Sequence, residues 1–445
     1  MENLKILIKN PYILTMNKKK EEYKGNILIE NDRLKLISKD EIVEAVDKVI
    51  EAEGLVALPG FIQPHIHLCQ TLFRGTADDM ELMDWLKLRI WPLEGAHDEE
   101  SIYDSANLGI AELIKGGTTT IVDMETVHHT SSAIKAIEET GLRAITGKVM
   151  MDYGKGVPPT LKETTKDSLD ESVKLLKEWH TRANGRIEYA FCPRFVVSCT
   201  EELLLEVSKL SKEYGVKVHT HASENLGEIG IVESDRGMRN ISYLKKVNLL
   251  NENLILAHCI WLNEEEIEEL RLSKTKVAHC PNSNTKLSSG VAKIPEFLEL
   301  GIDVGIAADG APCNNNLDMF QEMRMASSLQ KLRLGSKAMD CKTLLYMATM
   351  GGAKVIKKED MLGSLEEGKK ADLILMDLNR VHSSPSFGVP LESRIVFSAK
   401  TENVHTTIVD GKILMENRIL MTLDERSVIR NANRSIERLR QKINI

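Results

Sequence analysis

Histidines and one aspartate at the ends of short apolar segments carry the strongest chemical signal in the sequence. The clearest group is His65-Ile66-His67, where alternate side chains of an extended strand point the same way. His219-Thr220-His221, His258, His279 and Asp309 end later segments of the same kind. Nitrogen and carboxylate oxygen ligands suit a single divalent ion with a position left for water, and such an ion lowers the pKa of that water to about 7. The pattern therefore predicts a hydrolytic metal centre.

Glu224 lies three residues after His221, in the run His221-Ala222-Ser223-Glu224. A hydrolytic metal centre needs a carboxylate within hydrogen-bond reach that takes a proton and delivers it to the substrate or leaving group. A lone glutamate in a polar loop is usually a solvated side chain. Beside a metal site, we interpret Glu224 as the group that moves the proton.

The segments that end in these residues alternate with amphipathic, helix-like stretches such as 98–115 and 201–214. This alternation predicts an α/β protein with a (β/α)8 TIM barrel, whose active site lies at the carboxyl ends of the strands. The eight predicted strands are Phe61–His67, Thr118–Met124, Ala144–Met151, Ile187–Cys192, Val216–His221, Leu254–Cys259, Lys276–Cys280 and Val304–Asp309.

Both ends of the chain alternate over shorter distances, and Asp410-Gly411 is a strong hairpin signal. Because the ends of a compact unit often lie close together, we expect them to form one small β-sandwich. The predicted division is a composite sandwich over 1–58 and 363–420, a catalytic barrel over 59–362 and a C-terminal helix over 421–445.

Composition excludes several classes of protein for this chain of 445 residues. With 58 Lys+Arg against 66 Asp+Glu, no basic excess offers itself to a nucleic acid. Residues 54–73 lack charged side chains, but their prolines, glutamines and histidines argue against a membrane span. Seven scattered cysteines and the absence of an apolar signal core in residues 1–5 predict a cytoplasmic protein. Homo-oligomerisation stays open.

Six short motifs occur along the chain: Pro59-Gly60-Phe61, His65-Ile66-His67, His219 to Glu224, Ala257-His258-Cys259, Ser283-Asn284 and Ala308-Asp309-Gly310. Together they resemble the amidohydrolase superfamily, in particular its branch of adenosine-type deaminases and triazine hydrolases. The resemblance covers nearly the whole chain. It implies one divalent metal ion, zinc first and iron as the alternative, and a small nucleoside as the binding partner.

Transferred position by position, the resemblance implies catalytic and metal-binding roles. The metal ligands fall on His65, His67, His221 and Asp309. Glu224 becomes the proton-transferring carboxylate, and His258 with Asp309 orients and stabilises the reacting oxygen. His219 and His279 lie outside this ligand set, and we expect them to support or pack against it.

On the substrate side, the resemblance implies that Glu94 accepts hydrogen bonds from ribose hydroxyls and that Trp85 packs against the nucleoside; a surface charge and a core aromatic are the alternatives. Lys148 and Arg194 are further substrate-binding candidates. Lys148 stands near the position where relatives that bind an amino-acid tail carry arginine. Arg194 replaces a histidine and could reach the ribose or purine N3, with a salt bridge at the barrel rim as the alternative. Because an ammonium is a weaker bidentate partner than a guanidinium, these departures favour a small or uncharged 5′ substituent. His128 is a further candidate for the pocket wall.

The expected reaction is metal-dependent hydrolytic deamination of a 5′-modified adenosine, giving the inosine-type product and ammonia. 5′-Deoxyadenosine is the first candidate, followed by methylthioadenosine and S-adenosylhomocysteine. Guanine deamination and hydrolysis of a chloro- or aminotriazine remain alternatives that use the same metal site. A catalytically silent barrel that serves as a scaffold is the alternative from a different class.

Overall fold

A curled parallel sheet occupies the centre of the protein in a computed structural model that describes residues 4–443. Predictions that fall on residues 1–3 and 444–445 lie outside the described residues. Here barrel strands 1 to 8 denote Phe61–His67, Thr118–Met124, Arg143–Gly147 with Val149–Met150, Ile187–Pro193, Lys217–Ala222, Leu254–His258, Lys276–His279, and Val304–Ile306 with Asp309–Gly310.

The eighth barrel strand consists of two pieces that pair with different neighbours. Val304–Ile306 pairs with strand 7, whereas Asp309–Gly310 pairs with strand 1. Between the pieces, the backbone N–H of Ala308 donates to the side-chain Oε1 of Gln63 at 2.9 Å instead of to a neighbouring strand. The sheet therefore continues from strand 8 back to strand 1, and the predicted TIM-barrel-like α/β fold is confirmed.

Helices alternate with the barrel strands and cover them. The helix Glu99–Lys115 begins with a reciprocal cap between Asp98 and Ser101, which satisfies otherwise unpaired N–H groups.

In residues 4–443, no helix is both long and apolar enough to cross a membrane. The α-helices are Leu82–Trp85, Trp91–Glu94, Glu99–Lys115, Thr130–Thr140, Thr165–Trp179, Arg182–Gly185, Glu201–Tyr214, Leu226–Arg236, Asn240–Lys246, Glu264–Ser273, Pro281–Lys286, Ile294–Glu299, Ala311–Asn314, Met319–Leu334, Cys341–Tyr346, Gly352–Val355, Leu391–Ser393 and Glu425–Ile443.

Two further sheets flank the barrel. One comes from the N-terminal end alone, with the strand order Arg33–Ser38, Asn26–Glu30, Lys5–Lys9, Lys48–Glu51. The other combines both ends of the chain, with the order Ile419–Leu420, Lys412–Glu416, Val404–Val409, Leu373–Asp377, Leu55–Pro59, Tyr12–Leu14, Glu22–Lys24. A buried apolar cluster that includes Ile8, Ile27, Leu373 and Ile408 joins the two sheets, which supports the predicted sandwich in part.

The hairpin predicted at Asp410-Gly411 forms and contacts the other end of the chain. Both residues have positive φ angles, 52° and 75°. A Cβ atom on Gly411 would lie 1.7 Å from the carbonyl oxygen of Asn31. Glycine is therefore required here, both for the backbone conformation and for the close approach of the two ends.

Arg143, at the start of barrel strand 3, joins the barrel to the seven-stranded sheet built from both ends of the chain, which we call the two-ended sheet. Its buried guanidinium donates to the Asp372 carboxylate at 2.7 and 3.0 Å and to Asp410 at 2.8 Å. The planar guanidinium matches the geometry of a carboxylate pair, so this contact is both charged and directional. The barrel and the flanking sheet are thereby held in one arrangement.

We predict that Arg143→Met lowers the free energy of unfolding by about 3–5 kcal/mol, because it leaves the buried Asp372 carboxylate without its cation. Urea denaturation followed by circular dichroism measures the change. Arg182→Met is the matched control, because the exposed pair of Arg182 with Glu138 is worth no more than about 1 kcal/mol. Equal losses in the two variants would contradict this role for Arg143.

Candidate active site

Side chains from four barrel strands meet at the carboxyl end of the barrel. Asp309 Oδ1 lies 3.2 Å from His65 Nε2 and 3.3 Å from His67 Nε2. The Nε2 atoms of His67 and His221 are 3.3 Å apart. His258 completes the group, with Nε2 3.9 Å from the second oxygen of Asp309. The structure therefore brings together all four predicted metal ligands and the predicted histidine of strand 6.

The backbone at these strand ends adopts an unusual conformation. His258 and Asp309 have φ angles of 74° and 64°, and Ser223, just before Glu224, has 55°. Positive φ is uncommon for residues other than glycine and costs on the order of 1–3 kcal/mol at each position. The backbone thus departs from the extended conformation at the ends of strands 6 and 8 and in the loop after strand 5. These are the places from which His258, Asp309 and Glu224 enter the site.

Backbone carbonyl groups set the protonation of two of the histidines. The Nδ1 atoms of His67 and His221 lie 2.7 Å from the carbonyl oxygens of Met124 and Arg194. Because a carbonyl oxygen only accepts, each Nδ1 carries the hydrogen, and each neutral ring has its lone pair on Nε2. The buried Nε2 of His65 has no hydrogen-bond partner among the described residues. Three Nε2 atoms and one carboxylate oxygen thus face one another.

Burial keeps these imidazoles neutral. It lowers the pKa of His67 to about 3 and also lowers the pKa of His65 and His221. Burial alone would raise the pKa of Asp309, but its short contact with His65 Nε2 and the positive charge favoured on His258, whose own pKa is raised, hold it well below its usual range. Neutral nitrogen donors and an ionised carboxylate at these distances fit a divalent metal ion, which would relieve the repulsion between their lone pairs.

Glu224 faces this cluster across His258. Its Oε2 lies 3.5 Å from His258 Nε2, and burial raises the pKa of Glu224 to about 7. His258 Nδ1 lies 2.8 Å from Asn284 Oδ1, which can only accept, so Nδ1–H donates to it. Burial opposes the charged form of His258, but Glu224 and Asp309 outweigh it and raise its pKa. The backbone N–H of Glu224 donates to the buried carboxylate of Glu228 at 2.8 Å.

A small, partly open cavity lies against the cluster. The lining combines charged and metal-ligating groups with apolar side chains. The predicted residues in it are Trp85, Arg194, His67, His221, Glu224, His258 and Asp309, whereas His65 is not part of it. The full lining is His67, Gln70, Leu82, Trp85, Leu86, Arg194, Phe195, His221, Glu224, His258, Leu287 and Asp309.

Glu94 lies behind this lining rather than in it. Arg194 donates to both of its carboxylate oxygens, at 2.6 and 3.2 Å, and Gln70 Nε2 donates at 2.8 Å. Glu94 and Arg194 are 3% and 4% exposed, so this ion pair is almost fully removed from water. In this arrangement Glu94 holds two residues of the cavity wall in place.

The structure does not bring Lys148 and His128 to the cavity. The fully buried ammonium of Lys148 donates to the Glu163 carboxylate at 2.5 and 2.6 Å and lies 3.4 Å from Glu171. His128 is exposed, and its Nε2 lies 3.1 Å from the carbonyl oxygen of Thr160. His128, Glu163 and Glu171 are close enough to hold an ion, but the Lys148 ammonium already supplies positive charge to both carboxylates. The prediction that Lys148 and His128 line the cavity is therefore corrected: both side chains make their contacts outside it.

Sequence reasoning missed several residues of the cavity wall. Gln70 follows His67 by three residues, within the 3₁₀ helix Leu68–Phe73, and this spacing was a readable signal. Leu82, Leu86, Phe195 and Leu287 gave no signal, because an apolar residue in a pocket wall has the same pattern as one in the core. Asn284 belongs to the Ser283-Asn284 motif, but its contact with His258 could be recognised only in the folded structure.

We predict that His221→Ala lowers divalent-metal affinity by more than about 100-fold, since even groups that only orient a ligand are worth about 10- to 100-fold. Metal content at equilibrium with a competing chelator, measured by elemental analysis, tests this. His128→Ala is the control and should retain the metal of the unaltered protein. Full metal content in the His221 variant would remove this residue from the ligand set.

The chain is similar to known proteins over nearly its whole length. A model of the amidohydrolase family matches residues 56–414. The 5′-deoxyadenosine deaminase of Methanobrevibacter smithii is 42% identical over 437 residues, covering 98% of each chain. The 5-methylthioadenosine/S-adenosylhomocysteine deaminase of Carboxydothermus hydrogenoformans is 38% identical over 439 residues, covering 98% of each chain. The crystal structure of an adenosine deaminase from Xanthomonas campestris with bound zinc superimposes with a TM-score of 0.92 at 28% identity, covering 98% of this chain and 99% of the other. The chain belongs to the amidohydrolase family.

Proposed function

We propose that this protein hydrolytically deaminates a 5′-modified adenosine, with 5′-deoxyadenosine as the principal substrate. The proposal rests on one observation: Glu224 and His258 lie beside the predicted metal ligands at the cavity. These ligands are His65, His67, His221 and Asp309. Full-length relatives whose names give this reaction support the substrate class.

His65, His67, His221 and Asp309 would hold the divalent ion, and zinc is the proposed metal because the similar deaminase structure contains it. When bound, such an ion supplies a hydroxide nucleophile at neutral pH. The protein's own contribution is to keep the three imidazoles neutral and the aspartate ionised, so that all four donor atoms are available.

Glu224 is the proposed proton carrier. A carboxyl group whose pKa is raised to about 7 by burial can both take up and release a proton at neutral pH. In the proposed reaction it protonates N1 of the purine, which makes C6 more electrophilic. As the oxygen adds to C6, the resulting Glu224 carboxylate takes the proton of the new C6 hydroxyl group and delivers it to the amino nitrogen. The C6–N bond then breaks, C6 keeps its oxygen as a carbonyl, and ammonia leaves.

His258 is the proposed stabiliser of the oxygen that adds to C6. Asn284 accepts the Nδ1 hydrogen and so directs Nε2 into the site, between Glu224 and Asp309. Because the pKa of His258 is raised, the ring favours the imidazolium form, in which Nε2 also carries a hydrogen. A donor fixed in this direction before substrate binds stabilises developing negative charge without reorganisation. Asp309 orients the oxygen from the opposite side.

The charges around the cavity favour an uncharged 5′ substituent. Arg194 is the cationic side chain in the cavity wall, and Glu94 neutralises it through a bidentate pair. Lys148 is buried in its contact with Glu163. An amino-acid carboxylate such as that of S-adenosylhomocysteine would therefore lose water without gaining a free cation among these groups. Trp85 would pack against the nucleoside, and Glu94 would position Gln70 and Arg194 beside the ribose.

We also propose the domain division given by the sequence: a composite sandwich over 1–58 and 363–420, the catalytic barrel over 59–362 and a C-terminal helix over 421–445. Within the described residues, the two-ended sheet and the helix Glu425–Ile443 support this division.

We predict that Glu224→Gln lowers kcat by on the order of 10²- to 10⁴-fold while metal content and nucleoside binding stay close to those of the unaltered protein. The amide has the shape of the carboxylate but cannot carry the proton. Ammonia release measures turnover, and calorimetry measures nucleoside binding. Glu233→Gln, an exposed residue of the helix Leu226–Arg236, is the matched control. Near-normal turnover in the Glu224 variant would exclude Glu224 as the proton carrier.

We further predict an order of substrates. 5′-Deoxyadenosine and methylthioadenosine should exceed S-adenosylhomocysteine in kcat/KM by at least about tenfold, because the charged tail finds no free cation. Guanine and a chlorotriazine should react more slowly still. A panel of these compounds, followed for product and ammonia, tests the order. Faster turnover of guanine or the triazine would favour the alternative enzymes, and no turnover of any compound by metal-loaded protein would favour a scaffold.

A further inference from the structure

His219 occupies the barrel interior two residues before His221, on the same face of strand 5. Its Nε2 lies 2.7 Å from Nδ1 of His65, across the barrel in strand 1. Its Nδ1 lies 3.1 Å from the carbonyl oxygen of Ile255, in strand 6. The His219 and His65 side chains are both fully buried, and their rings meet edge to face with centroids 4.8 Å apart.

The carbonyl at one end of this chain of contacts sets the direction of both hydrogen bonds. The oxygen of Ile255 only accepts, so Nδ1 of His219 carries a hydrogen. A ring with its one hydrogen on Nδ1 has a lone pair on Nε2, and the 2.7 Å contact between this Nε2 and His65 Nδ1 needs one donor and one acceptor. This Nε2 therefore accepts, and Nδ1 of His65 donates. The remaining lone pair of His65 then lies on Nε2, the atom that faces Asp309 at 3.2 Å.

We propose that His219 is a positioning residue that fixes the tautomer of His65 and so keeps the Nε2 lone pair of His65 available to the divalent ion. This inference rests on the proposed metal site. Without an acceptor at position 219, the Nδ1 hydrogen of His65 would be buried without a partner. The ring would then favour the tautomer with its hydrogen on Nε2, which removes one donor atom from the site.

His65 differs in this respect from the other two histidines of the site. His67 and His221 donate to backbone carbonyl oxygens, which no side-chain substitution removes. The acceptor for His65 is a side chain, so a single substitution can change the tautomer of one ligand and leave the other two unaltered. A residue that only fills space would give no such selective effect.

The test compares His219→Leu with His219→Gln, two side chains of similar size. Leucine cannot accept a hydrogen bond, whereas the amide oxygen of glutamine can accept from His65 Nδ1. We expect His219→Leu to weaken zinc affinity by about 10- to 100-fold and His219→Gln to remain within about 10-fold of the unaltered protein. Competition with a fluorescent zinc chelator measures the affinity of each purified full-length variant. Equal affinities in the two variants, whether both retained or both lost, would overturn the proposal.

A second measurement does not depend on the variants at position 219. In metal-free protein labelled with ¹⁵N-histidine, we expect the nitrogen shifts of His65 to report hydrogen on Nδ1 and none on Nε2, with the assignment taken from His65→Gln. Hydrogen on Nε2 of His65 would overturn the inference. If the unaltered protein binds no zinc, the proposed function fails, while the tautomer of metal-free His65 still decides the role of His219.

Discussion

Lone pairs that face one another constrain the whole active site. Carbonyl oxygens of Met124 and Arg194 take the Nδ1 hydrogens of His67 and His221, and so leave two Nε2 atoms 3.3 Å apart beside the carboxylate of Asp309. In a buried setting such an arrangement is unfavourable until a cation joins it. It can exist beforehand only if rigid elements hold the donors in place. Parallel strands that are hydrogen-bonded to neighbours on both sides provide that rigidity. Their pairing also offsets the strain of the positive φ angles at the strand ends.

Arg194 couples the metal cluster to the substrate cavity. Its backbone carbonyl orients His221, and its guanidinium holds Glu94 in a buried bidentate pair. Glu94 in turn orients the Gln70 amide in the cavity wall. A substitution made to alter substrate preference at Arg194 would therefore also alter support for a metal ligand. Because Arg194 makes both contacts, its side chain is held rigidly and its guanidinium is not free to bind a substrate carboxylate.

Much of the site was readable in the sequence, because strand geometry converts position in the chain into position in space. His65 and His67 alternate on one strand, and parallel strands present their ends at the same edge of the barrel, so histidines far apart in sequence were expected to meet. The pairing of Lys148 with Glu163 was not readable. It depends on how the segment after strand 3 folds back over that strand, and neither residue carries a pattern that identifies its partner. The same limit hid the contact of Asn284 with His258, since a hydrogen bond across 26 positions follows from packing rather than periodicity.

Burial gives chemically different groups their separate tasks. Removal from water disfavours charge, so it lowers the pKa of His67 to about 3 and raises that of Glu224 to about 7. The first shift makes a neutral imidazole available as a ligand, and the second brings a carboxyl group into the range where it can exchange protons at neutral pH. Asp309 is the exception, because its pKa stays low despite its burial, and the neighbouring His258, whose own pKa is raised, supplies positive charge to it. Burial at one end of the barrel thus gives the ligands and the proton carrier different protonation behaviour without requiring a different environment for each.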